Sequence, residues 1–348
     1  MHRGVQFATT EDGVRIAYTL SGSGYPLFWL PHFLASNVQL EWEFPQQFVY
    51  NWLGQHFTVV RFDCRGLGLS DREVEDISLE ARFRDLRAVA QKLKVDRFAL
   101  VGIEGGGNLA SAYAAAYPEC VSQLVLVNWT ARFRDEQSGG RQRALGVLLE
   151  QDWDMLAENI GGVAFGYDQP VAAGYGRLVR ASVTQPMARR YGAELMREDL
   201  FPALEQVQAQ TLVLHSQVNF YSSEESARAV AATVSDARML TFEGGLAQHI
   251  QRLVDSIVEF VQPAADEPEA ASSGVSAAVT HGHKLTLREI EVLTLLVQGL
   301  SNREMAEQLT LSPRTVERHL ENVYRKTGAR NRAEATAYAF THGLLSGE

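Results

Sequence analysis

Residues 98–106 read Phe-Ala-Leu-Val-Gly-Ile-Glu-Gly-Gly. The first six are apolar and partly β-branched, the composition of a short buried strand, and the glycines end it. A helical pattern, Leu109-Ala-Ser-Ala-Tyr-Ala-Ala-Ala-Tyr117, follows at once. Glu104 therefore stands where a strand hands over to a helix.

The same grammar extends in both directions. Strand-like runs occur at 26–30 (PLFWL), 57–62 (FTVVRF), 124–128 (LVLVN) and 211–216 (TLVLHS), with a helical pattern over 77–93. Alternation of strands and helices predicts a mostly parallel sheet wrapped by helices, an α/β fold. The opening VQFATTEDGVRIAYTLSG instead reads as two strands joined by a Glu-Asp-Gly turn, a hairpin at the sheet edge. Residues 131–208 carry helical periodicity and little strand character, which predicts a helical cap over one end of the sheet.

Composition marks where this pattern stops. Residues 263–280, PAADEPEAASSGVSAAVT, contain no Lys, Arg or aromatic residue and cannot bury enough apolar surface to offset ordering entropy. We therefore expect a first domain over 1–262, a flexible linker over 263–282 and a second domain over 283–348. Two domains also suit 348 residues at about 150 per domain. A hydrophobic fraction of 46% and a charged fraction of 21% exclude a mostly disordered chain. No apolar run reaches the roughly 18 residues of a membrane helix, and residues 1–13 lack the apolar stretch of a secretory signal. Cys64 and Cys120 fit neither a disulfide framework nor a zinc pattern. A soluble, cytoplasmic protein without metal or cofactor is the expectation. The net charge of −10 argues by itself against nucleic acid, but it is uneven. Within 312–332, six basic residues (Arg314, Arg318, Arg325, Lys326, Arg330 and Arg332) face only Glu317 and Glu321.

The ordered strands, the cap position and the segment Asp63-Cys-Arg65-Gly66-Leu-Gly68-Leu-Ser70 resemble the α/β-hydrolase fold family over about residues 5–262. That family places a nucleophile on a sharp strand-to-helix turn written G-x-S-x-G. Here the turn is Gly102-Ile103-Glu104-Gly105-Gly106: the glycines are present and glutamate replaces serine. The acid position falls in His215-Ser216-Gln217-Val218-Asn219, an amide, and its alternative, Asn128, is an amide too. The histidine expected after the last strand is replaced by Leu246, with His249 three residues on. Near the oxyanion loop the family's His-Gly becomes Pro31-His32, followed by Phe33, whose N–H could still pair with that of Gly105 to bind an anion.

Glutamate at such a turn is tolerable, because a helix N-terminus favours a carboxylate by about 0.3–1 kcal/mol. It cannot replace serine in acyl transfer, since an ionised carboxylate attacks acyl carbon poorly. An aspartate there does attack alkyl centres in relatives that open epoxides or displace halide, but glutamate is one methylene longer. Three readings stay open: a ligand-binding carboxylate in a non-catalytic pocket, a covalent nucleophile with His249 activating water, and a structural residue. The first assigns ligand contact to His32, Phe33, Glu104, Gly105, Asn219, Leu246 and His249, with no catalytic residue. Asp63, Arg65, Gly66 and Gly68 read as a structural turn.

Residues 285–345 divide into four helical segments preceded by Thr286, Ser301, Ser312 and Asn331, all capping residues. Thr286 with Glu289 and Ser301 with Glu304 have capping-box spacing. The string L-T-x-R-E-x-E-V-L…G-L-S-N-R-E-M-A-x-x-L-x-L-S-x-R-T-V-E-x-H, followed by K-T-G-A-R-N-R-A-E-A, is similar to the LuxR-type helix-turn-helix over about 60 residues. The resemblance implies that 312–326 is a recognition helix in the major groove, in a homodimer on two half-sites of double-stranded DNA. Ser312, Thr315, Lys326, Arg330 and Arg332 suit phosphates, and Arg318 suits the O6 and N7 atoms of guanine. Arg314, Glu317 and Asn322 complete the expected DNA face. Glu317 and Glu321 stand where many relatives carry lysine; Glu321 could instead pair with Arg325 on the helix surface. A plain interaction bundle is the alternative for this domain.

Together these features point to a transcriptional regulator in which a small-molecule effector enters a hydrolase-like pocket and controls the helix-turn-helix. The rivals are an active hydrolase that also binds DNA and an interaction protein with a vestigial pocket.

Overall fold

The computed structural model describes residues 4–265, apart from 45, 139, 166–169 and 220, and residues 285–335, apart from 286, 298, 299, 310 and 333. Its contacts divide the chain into two units, Met1–Ala277 and Ala278–Glu348.

The first unit is built on one eight-stranded sheet. In chain order its elements are β1 (Gln6–Thr9), β2 (Arg15–Ser21), β3 (Tyr25–Leu30), α1 (Gln46–Leu53), β4 (Phe57–Phe62), α2 (Leu79–Leu93), β5 (Phe98–Ile103), α3 (Gly106–Ala116) and β6 (Val121–Val127). Helices α4 (Gly140–Gln151), α5 (Trp153–Phe165), α6 (Pro170–Ser182), α7 (Gln185–Arg197) and α8 (Phe201–Leu204) follow. β7 (Gln210–Val218), α9 (Glu224–Thr233), β8 (Ala237–Gly245) and α10 (Ile250–Ala265) complete it. The strand order is β1-β2-β4-β3-β5-β6-β7-β8. β1 and β2 form the expected edge hairpin, antiparallel in register Gln6↔Tyr18, and β3 to β8 run parallel. The stretch expected to be a helical cap holds α4–α8. Helix α10 runs to Ala265, so 263–265 are helical where a linker was expected; 266–282 lie outside the described residues.

Period-two alternation sorts the strand residues onto two faces. Val60, Phe62, Leu100, Leu124 and Leu126 join α2, α3 and α9 in one core. Phe57, Val59, Ala99, Val101, Val125 and Val127 join α1 and α10 in the other. β8 is an edge strand whose residues are mostly accessible, so it produces no apolar run.

Buried charges fix the loops around the sheet. Arg61, on β4, is 1% exposed and pairs with Glu41 at 2.6 Å. It also donates to Thr19 Oγ1 and Val38 O, and its guanidinium lies over the rings of Tyr50 (4.1 Å) and Trp42 (4.6 Å). Glu41 further accepts from the Tyr50 hydroxyl and the Asn37 N–H. The 63–70 segment is a knot of the same kind. Asp63 accepts from Ser36, Val38 and Leu69, and Arg65 bridges Asp85 and Asp12.

In the second unit the described helices are α11 (Leu287–Val297), α12 (Asn302–Gln308) and α13 (Pro313–Thr327). Val292, Leu293, Leu296, Met305, Ala306, Val316, Leu320 and Val323 form its core. The Ser301 capping box closes in both directions: Ser301 N–H donates to Glu304 Oε2, and Glu304 N–H to Ser301 Oγ. Ser312 and Asn331 accept from the N–H groups of Thr315 and Glu334. Thr286 and the remainder of the fourth segment beyond Ala335 lie outside the described residues.

Candidate functional site

The turn from β5 to α3 depends on two close backbone approaches. A Cβ on Gly102 would lie 2.6 Å from the Gly107 Cα, and one on Gly106 would lie 2.0 Å from the Leu30 carbonyl oxygen. Glu104 occupies the apex at φ 48°, a left-handed conformation uncommon for a side chain other than Gly, Asn or Asp. The strand-to-helix elbow is therefore intact, with a carboxyl at its tip.

Aromatic groups surround that tip. The His32 ring lies against Gly105, whose Cβ would meet it at 2.9 Å, and the Tyr221 hydroxyl would meet the same atom at 3.3 Å. His32 and Tyr221 meet edge to face at 5.5 Å between centroids, and Phe133 packs on Tyr221 at 4.6 Å. Phe33 stacks between His32 (4.3 Å) and Tyr191 (5.5 Å). The Nδ1 atom of His32 accepts from the Leu34 N–H, which leaves the ring proton on Nε2; burial lowers its pKa to about 3, so the ring is neutral. The Tyr221 hydroxyl is buried without a hydrogen-bond partner among the described residues. Burial, and secondarily the Glu104 charge, push the phenols of Tyr175 and Tyr221 upward.

Glu104 has no hydrogen bond or ion pair to its carboxyl among the described residues. Burial raises its pKa from 4.5 to about 7. The sign of the consequence follows: between those values the folded chain holds a proton that the unfolded chain has lost, so stability falls as pH rises through the window. Glu104→Gln has no such proton. Its stability advantage over the natural chain is expected to be near zero at pH 4.5 and on the order of 2–3 kcal/mol at pH 8. Paired denaturant melts at the two pH values measure it, and a difference that does not change with pH contradicts the burial.

The other expected ligand contacts do not all gather here. Asn219 is consumed by its own turn: its Oδ1 accepts from the N–H groups of Tyr221 and Ser222, and its Nδ2 donates to Ser216 O at 2.6 Å. It thereby aims Tyr221. Asn128 clamps Ser216 on β7, accepting from its N–H at 2.8 Å. Leu246 packs with the core of α1 and α10, and His249 stacks on Phe242 of that core with Nε2 against the Glu243 carbonyl. No hydrogen bond or ion pair joins His249 to Glu104 among the described residues. His32, Phe33, Glu104 and Gly105 do come together.

Tyr191, Tyr221, Arg82, Asn108 and Glu198 were not anticipated. Arg82 pairs with Glu198 at 2.5 Å, Asn108 donates to Glu198, and Trp129 donates to Asn108. With Phe33, Gly105 and Tyr191, the first three line a cavity of about 40 Å³, enough for two or three waters at about 10–15 Å³ each. Arg82 and Glu198 are 116 residues apart, so no local signal could pair them.

On the second unit, α13 buries Val316, Leu320 and Val323 and exposes Arg314, Glu317, Arg318, Glu321 and Arg325. Arg314 and Arg318 make no ion pair or hydrogen bond among the described residues. Other cations expected at phosphates are engaged within the unit. Lys326 pairs with the buried Glu289 at 2.7 Å, and Arg332 donates to the carbonyls of Leu296 and Leu300. Arg330 pairs with Glu334. The Glu321–Arg325 pair does not form: Arg325 donates to Asn322 instead. Thr315 and Ser312 bond through their hydroxyls at 2.8 Å.

Comparison with known proteins gives two family matches. Residues 26–154 match the alpha/beta hydrolase fold family, and residues 283–339 match the bacterial regulatory proteins of the luxR family. An uncharacterised protein of Mycobacterium tuberculosis is 34% identical over 124 residues, 36% of this chain and 34% of that protein. The chain thus matches about a third of the length of that relative. The transcriptional regulatory protein MctR of Rhizobium johnstonii is 29% identical over 212 residues, 58% of this chain and 95% of its own. A hydrolase from Pseudomonas aeruginosa superposes with a TM-score of 0.64 at 22% identity, covering 74% of this chain and 98% of that one. The chain joins a domain of the α/β-hydrolase fold family to a C-terminal domain of the luxR family.

Proposed function

We propose that the protein is a DNA-binding transcriptional regulator whose hydrolase-like domain senses a small molecule without turning it over. The observation that carries this reading is the state of Glu104. The elbow is preserved, yet the family's base and acid positions offer it no catalytic pair: His249 stacks on Phe242, Asn219 is held by its own turn, and Asn128 is held by Ser216 on β7. A pocket of this kind can hold a ligand while lacking the partners that hydrolysis needs. The luxR-family domain, tethered through residues of the 263–282 stretch, supplies the output on double-stranded DNA as a homodimer in the cytoplasm. Ligand binding shifts DNA affinity only by the difference in its affinity for the two states.

The test is turnover of a mixed panel of esters, lactones, epoxides and haloalkanes, wild type beside Glu104→Gln. No turnover above the buffer blank in either protein is the expected result. Turnover in the wild type that vanishes in the variant would overturn the proposal and make the protein an enzyme.

A further inference from the structure

Glu104 presents an unusual sum of costs. It holds a left-handed backbone, is half-buried and has no partner for its carboxyl among the described residues. Strained and unpaired polar groups of this kind persist where a ligand supplies what the fold omits. The segments 31–34 and 103–105 all keep partial accessibility. They do so although α6 and α7 of the cap share apolar clusters with the same loop, Leu178 with Ala35 and Met187 with Phe33 and Leu34. They are partly open at the strand ends, beside the cavity of about 40 Å³ that Pro31, Phe33 and Gly105 help to line.

Its chemistry is one-sided. The Tyr221 hydroxyl is 1% exposed by residue, unpartnered, and beside Gly105. The rings of His32, Phe33, Tyr221 and Phe133 form a contiguous aromatic wall. The neighbouring guanidinium, Arg82, is committed to Glu198, so Glu104 is left as the uncompensated charge. An anionic ligand would meet that carboxylate, and Arg82, the cation among the residues lining the neighbouring cavity, is already paired. A neutral ligand would leave Glu104 either unpaired or protonated. An organic cation answers both features, since its charge pairs with the carboxylate and its apolar body lies against the aromatic wall.

We infer that the pocket at the elbow takes an organic ammonium ligand, its charge on the Glu104 carboxylate and its apolar body against His32, Phe33 and Tyr221. This rests on the proposed sensor role and gives it a ligand class.

The test uses the full-length chain and three matched probes, benzylamine, benzyl alcohol and benzoate, with calorimetric titration at pH 8. Benzylamine is expected to bind at least tenfold more tightly than the alcohol, with no binding of benzoate, and Glu104→Gln is expected to erase the amine's advantage. Should that variant fail to fold, Tyr221→Phe carries the test, with an expected three- to tenfold loss for the amine. Equal affinity for amine and alcohol, preference for benzoate, binding of none of the three, or an amine affinity untouched by the substitution would overturn the inference. The sensor reading is scored separately, by DNA retention in the same samples. Amine binding that leaves DNA affinity unchanged upholds the cation site and counts against regulation through it. Absence of amine binding removes the cation site and leaves the sensor reading to the turnover panel.

Discussion

Arg61→Ala is expected to destabilise the first unit by about 3–5 kcal/mol, because it strands the Glu41 carboxylate in the interior. Glu41 and Arg61 are each 2% exposed at the side chain, and neither has water to fall back on. The guanidinium also holds Thr19, the Val38 carbonyl and the faces of Trp42 and Tyr50, so the substitution severs the link between β2, β4 and the loop after β3. For a domain of this size each kcal/mol moves the melting temperature by about 2–4 °C, giving a fall of roughly 6–20 °C. Differential scanning calorimetry measures it. The double variant Arg61→Met with Glu41→Leu is expected to recover most of the loss, since removing both charges removes the stranded one. A single variant that melts within about 2 °C of the natural chain would show that the pair contributes nothing.

The second large effect concerns α13. Under the proposed function, Arg318→Ala is expected to weaken binding to a selected operator by about 1–3 kcal/mol, or roughly 5- to 150-fold, and to relax preference at one base pair. Arg318 is exposed, unpaired among the described residues and one turn from Arg314 on the face opposite Val316 and Leu320. Lys326→Ala should behave differently: it removes the partner of Glu289, which is 3% exposed at the side chain, so its first readout is lowered stability of the domain. Fluorescence anisotropy with operator and scrambled duplexes separates the two. An Arg318 variant that loses affinity equally for both duplexes would reassign that side chain to the phosphate backbone.

Much of the scaffold was legible because period-two and helical repeats are local. The buried parallel strands are continuous apolar runs, and the elbow glycines announce a close approach that the structure supplies at Leu30 and Gly107. β8 produced no such run because an edge strand buries only part of its side chains. The site was legible only where neighbours in sequence meet: Glu104, Gly105, His32 and Phe33 lie on two adjacent strand ends. Tyr221 escaped notice because its position depends on an Asx turn formed by Asn219, a residue that sequence reading had assigned to the ligand. The family's spacing likewise suggested His249 as a neighbour of the elbow, whereas stacking on Phe242 turns it toward the core of α10. In the second unit, counting cations overstated the DNA face, since long-range pairing with Glu289 and with helix carbonyls is invisible to a charge count.

That pairing has a consequence for how the protein would meet DNA in a cell. With Lys326, Arg330 and Arg332 engaged within the fold, the cations of the 312–332 segment left for phosphates are Arg314, Arg318 and Arg325. Counterion release from these three gives a slope of log affinity against log salt of about −3 per domain. Non-specific attraction to the bulk of the genome would be correspondingly faint. Occupancy of an operator would rest on base contacts and on two domains acting together, and six phosphate contacts between them would still lower affinity by about 10³ between 50 and 200 mM salt.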